Sequence, residues 1–235
     1  NNRSRRAKDL LDQLDKISYT DIIRIKFDRQ LPNPILFPYG YTADSLYLVD
    51  ESKQATLAPL IRSFKTWNHI ASADSKGALI FSLVYSLVPE IMGGRSQDTL
   101  TIPQAMLVYQ RIYDYLMKHF NTIDLTLGDV QKLVRGNKSW PQAGVPDVLA
   151  AVGSEPWKNG LRRMNGGDAY IAFVRFPKDG SLPLIESINT FGASSHINSP
   201  HFDDQRAMYQ SQQVKKMTLD KAEVIKGAER VYHPG

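Results

Sequence analysis

The chain has 235 residues, 42% of them hydrophobic and 23% charged, with a formal net charge of +5. That is enough chain for one large or two small globular domains with a buried core, and the absence of cysteine excludes disulfides, thiol nucleophiles and cysteine-based zinc sites. Positive charge is dense only at "RSRR", residues 3–6, which is too local for a nucleic-acid surface, and no apolar run approaches the ~18 residues of a membrane span.

In chain order, "RSRRAKDLLDQLDK" places Ala7, Leu10, Leu11 and Leu14 at the spacing of an amphipathic helix. "SYTDIIRIKFD" opens a second helix with Ser18 and Asp21 in a capping-box arrangement. "LPNPILFPYGY" (31–41) carries three prolines and a glycine and reads as a loop. "KQATLAPLIRSFKTWNH" (53–69) and "KGALIFSLVYSLVPEIM" (76–92) read as a helix pair, the second apolar enough for a buried core position. "IPQAMLVYQRIYDYLMKHF" (102–120) repeats its aliphatic and aromatic residues at three and four and has Pro103 in its first turn, where proline is tolerated. "TLGDVQKLVRG" (126–136) is predicted to be a helix capped by Thr126 and Asp129 and stopped by Gly136.

The character changes near residue 137, where Pro- and Gly-rich loop with short strands begins. The clearest hairpin follows: "DAYIAFVRF" (168–176), a "PKDG" turn (177–180) and "SLPLIESIN" (181–189). "NGGDAY" (165–170) precedes a strand, so it reads as a strand-entry turn rather than a phosphate cradle at a helix N-terminus. "DDQRAMYQSQQVKK" and "TLDKAEVIKGAE" read as two short helices. The fold class is α+β, with a mainly helical lobe over 1–136 and a hairpin-bearing part over 137–235, forming one interdependent unit.

The polar stretch "SSHINSPHFDDQRAMY" (194–209) gathers His196, His201, Asp203 and Asp204. A metal site needs ligands that converge, and these four fall on no common helical face. The alternative is a structural corner in which Asp203 or Asp204 caps the helix that follows. The chain has no GxSxG elbow, Walker loop or HExxH motif. His69, His119 and His233 have no evident sequence partners and read as surface or packing histidines.

The order of four segments supplies what the residues alone do not. "FGASSHINSPHFDDQRAMY" resembles the C-terminal signature of penicillin-acylase-type N-terminal-nucleophile hydrolases. "NNRSRRAKDLLD" resembles the Asn-Arg-x-x-Arg helix start of those enzymes. "LTLGDVQKLVRGNKSWPQAGVPDVLAA" and "NGGDAYIAFVRFPKDGSLPLIESINTFG" resemble successive segments of their acyl-homoserine lactone and aculeacin acylase branch. The resemblance spans essentially the whole chain. It implies an αββα sandwich, to which hairpin 168–189 contributes, with the helical lobe packed beside it.

The resemblance also implies amide hydrolysis by an N-terminal Ser whose own α-amino group acts as base, with an oxyanion hole of backbone N–H and an Asn side chain. This chain departs from that pattern, because Asn1 has no hydroxyl or thiol. The nucleophile, the oxyanion Asn and most of the calcium site are expected upstream, making this the C-terminal part of a longer, processed or truncated β-chain. On that expectation the piece alone is inactive, holds no metal or cofactor, and has the rest of the acylase precursor and a small N-acyl substrate as partners. Calcium belongs to the complete enzyme. No nucleic acid or membrane is expected, and the compartment implied is periplasmic or secreted. Arg3 matches the family's arginine near the nucleophile, a supporting role that an always-charged rigid fork of donors suits. His201, Asp203, Asp204 and Gln205 are expected to fix a turn and carry no catalytic role. The competing expectation is a non-catalytic binding or assembly domain derived from the same fold.

Overall fold

A computed structural model describes residues 1–37, 44–93, 99–228 and 230–231, which fall into two units, 1–167 and 168–235. Residues 38–41 of the proline-rich loop, Glu229 of the last predicted helix and His233 lie outside the described residues.

In the first unit, helix α1 (Asn2–Leu11) buries Leu10 and stops earlier than the apolar spacing predicts. Leu11 is exposed, and its carbonyl accepts the Leu14 N–H in a turn. Helix α2 (Tyr19–Lys26) starts at the predicted box: the Ser18 side chain accepts the Asp21 N–H, and the Asp21 carboxylate accepts the Ser18 N–H. A short helix α3 (Asp44–Leu48) precedes a 3-10 turn over 51–53 capped by Asp50, so the helix predicted from residue 53 begins only at Ala58, as α4 (Ala58–Lys65).

Helix α5 (Lys76–Ile91) is the centre of the core. Gly77 through Val84 are buried without a break, which is what a helix apolar on all sides requires. Its N-cap Ser75 accepts the Ala78 N–H. Helix α6 (Ile102–Phe120) buries Ala105, Val108, Tyr109, Ile112 and Leu116, the predicted stripe, and the buried Tyr109 hydroxyl donates to the Leu46 carbonyl at 3.0 Å. The rings of Phe64, Trp67, Phe81, Phe37 and Tyr85 run through this core in tilted contacts. No helix among the described residues is long and apolar enough to cross a membrane.

The segment 126–136 departs from expectation. Its capping box forms, but α7 (Leu127–Val130) lasts one turn and the chain continues as strand β1 (Gln131–Arg135). Gly136, at φ +59, opens a two-residue turn into β2 (Lys138–Pro141) instead of stopping a helix. The buried Gln131 amide donates to the Gln142 and Gly144 carbonyls, which ties the strand to the loop behind it. Strands β3 (Gly153–Pro156) and β4 (Arg162–Gly166) form a second antiparallel pair, turned by Asn159 and Gly160, both at positive φ. A parallel pairing of Gln131 with Arg162 joins the two pairs in the order β2-β1-β4-β3. Residue 137, where the composition changes, therefore sits in a hairpin turn inside the first unit.

In the second unit, β5 (Tyr170–Arg175) and β6 (Leu184–Asn189) form the predicted antiparallel hairpin, with Gly180 at φ +77 in its loop. Helix α8 (Arg206–Gln210) is followed by a strand, not by more helix. Gln212 takes φ +59, and β7 (Lys215–Met217) pairs with the second edge of β6. Helix α9 (Lys221–Gly227) is capped by Asp220, which accepts the Glu223 N–H. Across the sheet β5-β6-β7, Ile171, Phe173 and Ile188 are buried while Tyr170, Val174 and Met217 are exposed. The pairings Tyr170–Asn189, Val174–Ile185 and Ile185–Met217 put those three exposed residues on one face.

Candidate functional site

The first turn of α1 is held by its two asparagines. Asn1 caps it, its side-chain oxygen accepting the Ser4 N–H at 3.0 Å. Asn2 is completely buried. Its side-chain amide donates to the Leu36 carbonyl at 2.6 Å and its side-chain oxygen accepts the Leu36 N–H at 2.8 Å, so it pairs with one backbone residue as a strand would. Its own N–H donates to the Asp147 carboxylate at 2.8 Å. Asp147 adopts φ +64, a left-handed conformation that Asp tolerates better than most side chains.

Arg3, beside this buried residue, is exposed. The half-buried Tyr85 phenol feels these charges: burial raises its pKa, the Asp147 carboxylate raises it further, and the Arg3 guanidinium opposes them. The first turn of α1 thus carries an exposed cation next to a buried amide that a carboxylate holds. Arg6, the second arginine of the helix-start motif, faces elsewhere. Its Nε and Nη2 donate to the two Asp28 oxygens at 3.1 and 2.8 Å, and Nη2 also donates to the Gln30 side chain at 2.9 Å.

The second polar cluster belongs to the other unit. The N-cap position of α8 is Gln205, with no side-chain cap bond, and not Asp203 or Asp204 as the sequence suggested. The Asp204 carboxylate instead pairs with His201 Nδ1 at 2.9 Å. Gln205 is buried. Its N–H donates to the Phe191 carbonyl at 2.7 Å, and its side-chain oxygen accepts the Asn189 N–H at 3.1 Å. The Asp203 carbonyl accepts the Arg206 N–H at 3.2 Å. Gly192 is required where the turn closes: a Cβ there would stand 2.1 Å from the His201 carbonyl oxygen. Among the described residues no three His, Asp or Glu side chains converge as metal ligands. His69 has a partner that sequence did not suggest, the Tyr47 hydroxyl at 3.2 Å from its Nε2, and His119 packs edge-on against Tyr115 and Phe120.

The family model for penicillin amidase matches residues 1–226. The chain belongs to the penicillin amidase family. Membership places it among amide hydrolases, and it agrees with the α+β architecture. Comparison with curated proteins finds no match.

For a penicillin amidase chain, the residues that sequence reading passed over are Asn2, Arg6 and Asp147. Asn2 looked like part of a helix start, and nothing local signals a partner 34 residues away. Arg6 falls in the same basic run as Arg3 and differs from it only through Asp28, on another segment. Asp147 follows Pro146 in "GVPDV", where a turn was legible but its contact with residue 2 was not.

Proposed function

We propose that this chain is the C-terminal part of the catalytic chain of an amidohydrolase that cleaves N-acylated amines, and that Arg3 supports the reaction. The substrates would be acyl-homoserine lactones, lipopeptides or β-lactam amides. The observation that carries the reading is the first turn of α1: the arginine of the Asn-Arg-x-x-Arg motif is presented to solvent, while the residue before it is locked in the core by Leu36 and the Asp147 carboxylate. The exposed Tyr170, Val174 and Met217 on one face of β5-β6-β7 support a further layer packed there in the complete protein.

In this reading the nucleophile is an N-terminal Ser outside this chain. Its hydroxyl attacks the amide carbonyl and its α-amino group takes the proton. The tetrahedral intermediate expels the amine, which takes that proton back, and water then hydrolyses the acyl ester. Arg3, always charged, holds polar groups around that centre by directed donation. His201, Asp203, Asp204 and Gln205 brace the turn ahead of α8 and stay out of the chemistry. The absence of cysteine fits a periplasmic or secreted protein.

Single-turnover mass spectrometry of the complete protein, with an acyl-homoserine lactone and a β-lactam amide as substrates, tests the reading. The expected acyl adduct lies on a Ser outside residues 1–235. An adduct on a residue within them, or no turnover of any N-acyl amine, would remove it.

A further inference from the structure

We propose that Asn2 and Asp147 are positioning residues for Arg3, setting the first turn of α1 and with it the place from which the guanidinium acts. The inference rests on the supporting role given to Arg3 above.

Arg3 is exposed and makes no hydrogen bond or ion pair of its own among the described residues. Where its side chain starts is therefore set by the backbone that carries it. That backbone is fixed by the residue before it. Asn2 meets both the donor and the acceptor of Leu36, across 34 positions of sequence, with no exposed surface. A buried amide with both ends satisfied is expensive to displace, because any shift leaves an N–H or C=O unpaired in the core.

Asp147 adds the third constraint. The first N–H groups of a helix have no partner within it. Asn1 takes one of them, that of Ser4, and Asp147 takes that of Asn2 across 145 positions of sequence. The same carboxylate supplies negative charge where α1 has none, since no acidic residue lies in its first turn. An arginine at the second helical position is repelled by the positive end of the helix dipole, and a carboxylate beside it offsets that repulsion. The Asp147 carboxylate raises the Tyr85 pKa and the Arg3 guanidinium lowers it, so both charges act on that phenol, with opposite sign. The left-handed backbone at Asp147 is the conformation in which this contact is made.

The experiment is a double-mutant cycle in the complete protein, reading kcat, KM and the melting temperature. Asp147→Gly keeps the positive φ and removes the acceptor. Asp147→Asn keeps an acceptor oxygen and removes the charge. Asp147→Gly is expected to lower kcat on the order of 10- to 100-fold, with KM within about threefold, as for a catalytic group displaced by a fraction of its working distance. Asp147→Asn should recover most of that loss. In an Arg3→Ala background, Asp147→Gly should change kcat no further, because nothing is left to position. Losses that multiply would overturn the positioning role and leave Arg3's role standing. So would a lowered melting temperature with kcat unchanged in Asp147→Gly. An Arg3→Ala variant with wild-type kcat would overturn both. Asn2→Ala threatens folding because both Leu36 groups lose their partner, so the Asp147 variants carry the test.

Discussion

Gly77 lies against the indole of Trp67: a Cβ added at that position would stand 2.3 Å from the ring's Cγ. Trp67 cannot withdraw easily. It is buried, its Nε1–H donates to the Ile70 carbonyl at 2.9 Å, and its ring packs on Phe64 and Phe81. Alanine is the better helix former by ~1 kcal/mol, so propensity alone favours Gly77→Ala. Overpacking should outweigh it and destabilise the protein by about 1–3 kcal/mol. Urea unfolding decides the matter, and a midpoint at or above that of the wild type would show that the core gives way there.

Arg6 and Asp28 make a two-pronged contact at low exposure, with side chains 19% and 15% accessible. Lysine retains the charge but not the fork. Arg6→Lys should cost about 1–2 kcal/mol, the loss of charge-assisted bonds to Asp28 and Gln30. Arg24→Lys, at the half-exposed pair with Asp21, serves as the control and should leave the unfolding midpoint in place. Equal effects in the two variants would contradict this ranking.

Gln205 should matter more than His201 to the turn ahead of α8. Gln205→Ala leaves the Asn189 N–H without its acceptor and should cost about 1–3 kcal/mol. His201→Ala removes a pair with Asp204 whose side chains are 46% and 38% exposed, worth at most about 1 kcal/mol. Both variants should act on stability or maturation and leave turnover per folded enzyme intact. A His201→Ala protein of normal stability that binds substrate but has lost turnover would sink that view.

His69 gives the fold a pH dependence of defined sign. Burial lowers its pKa, so the folded protein favours the neutral ring. Above the unfolded pKa of about 6.5 the contribution is fully present. As pH falls below that value, the unfolded chain takes up a proton that the folded chain resists, and stability declines until the folded pKa is passed. His69→Asn tolerates the left-handed backbone at φ +62 and should flatten that part of the curve. An unchanged slope between pH 6.5 and 5 would assign it to other groups.

What could be read before the structure follows the range of the interactions involved. The capping boxes at Ser18 and Thr126, the stripe of α6 and the hairpin at 168–189 depend on neighbours within a few positions, and all four form. The helix predicted through Gly136 failed because its one real turn is followed by residues that satisfy their backbone in a sheet. The helix predicted at "QQVKK" failed for the same reason, since the open edge of β6 took the segment. A local pattern cannot report a distant strand. Asn159-Gly160, which sequence reading passed over, turns β3 into β4 with both residues at positive φ. In the candidate site, Arg3 was legible through its motif, while the bonds from Asn2 to Leu36 and Asp147 had no signature in either segment.

The parallel seam between β1 and β4 also bears on when the first unit can be finished. The pairs β1-β2 and β3-β4 are hairpins that close within microseconds once their turns are made. Gln131 cannot meet Arg162 until the whole intervening chain has been synthesised and both hairpins are in hand. A ribosome that has released only as far as residue 150 exposes β1 with one edge bare. The nascent chain is then most vulnerable to mispairing over the interval before "GLRRMNG" emerges, so pausing in that stretch would affect the yield of folded protein more than pausing anywhere in the helical lobe before it.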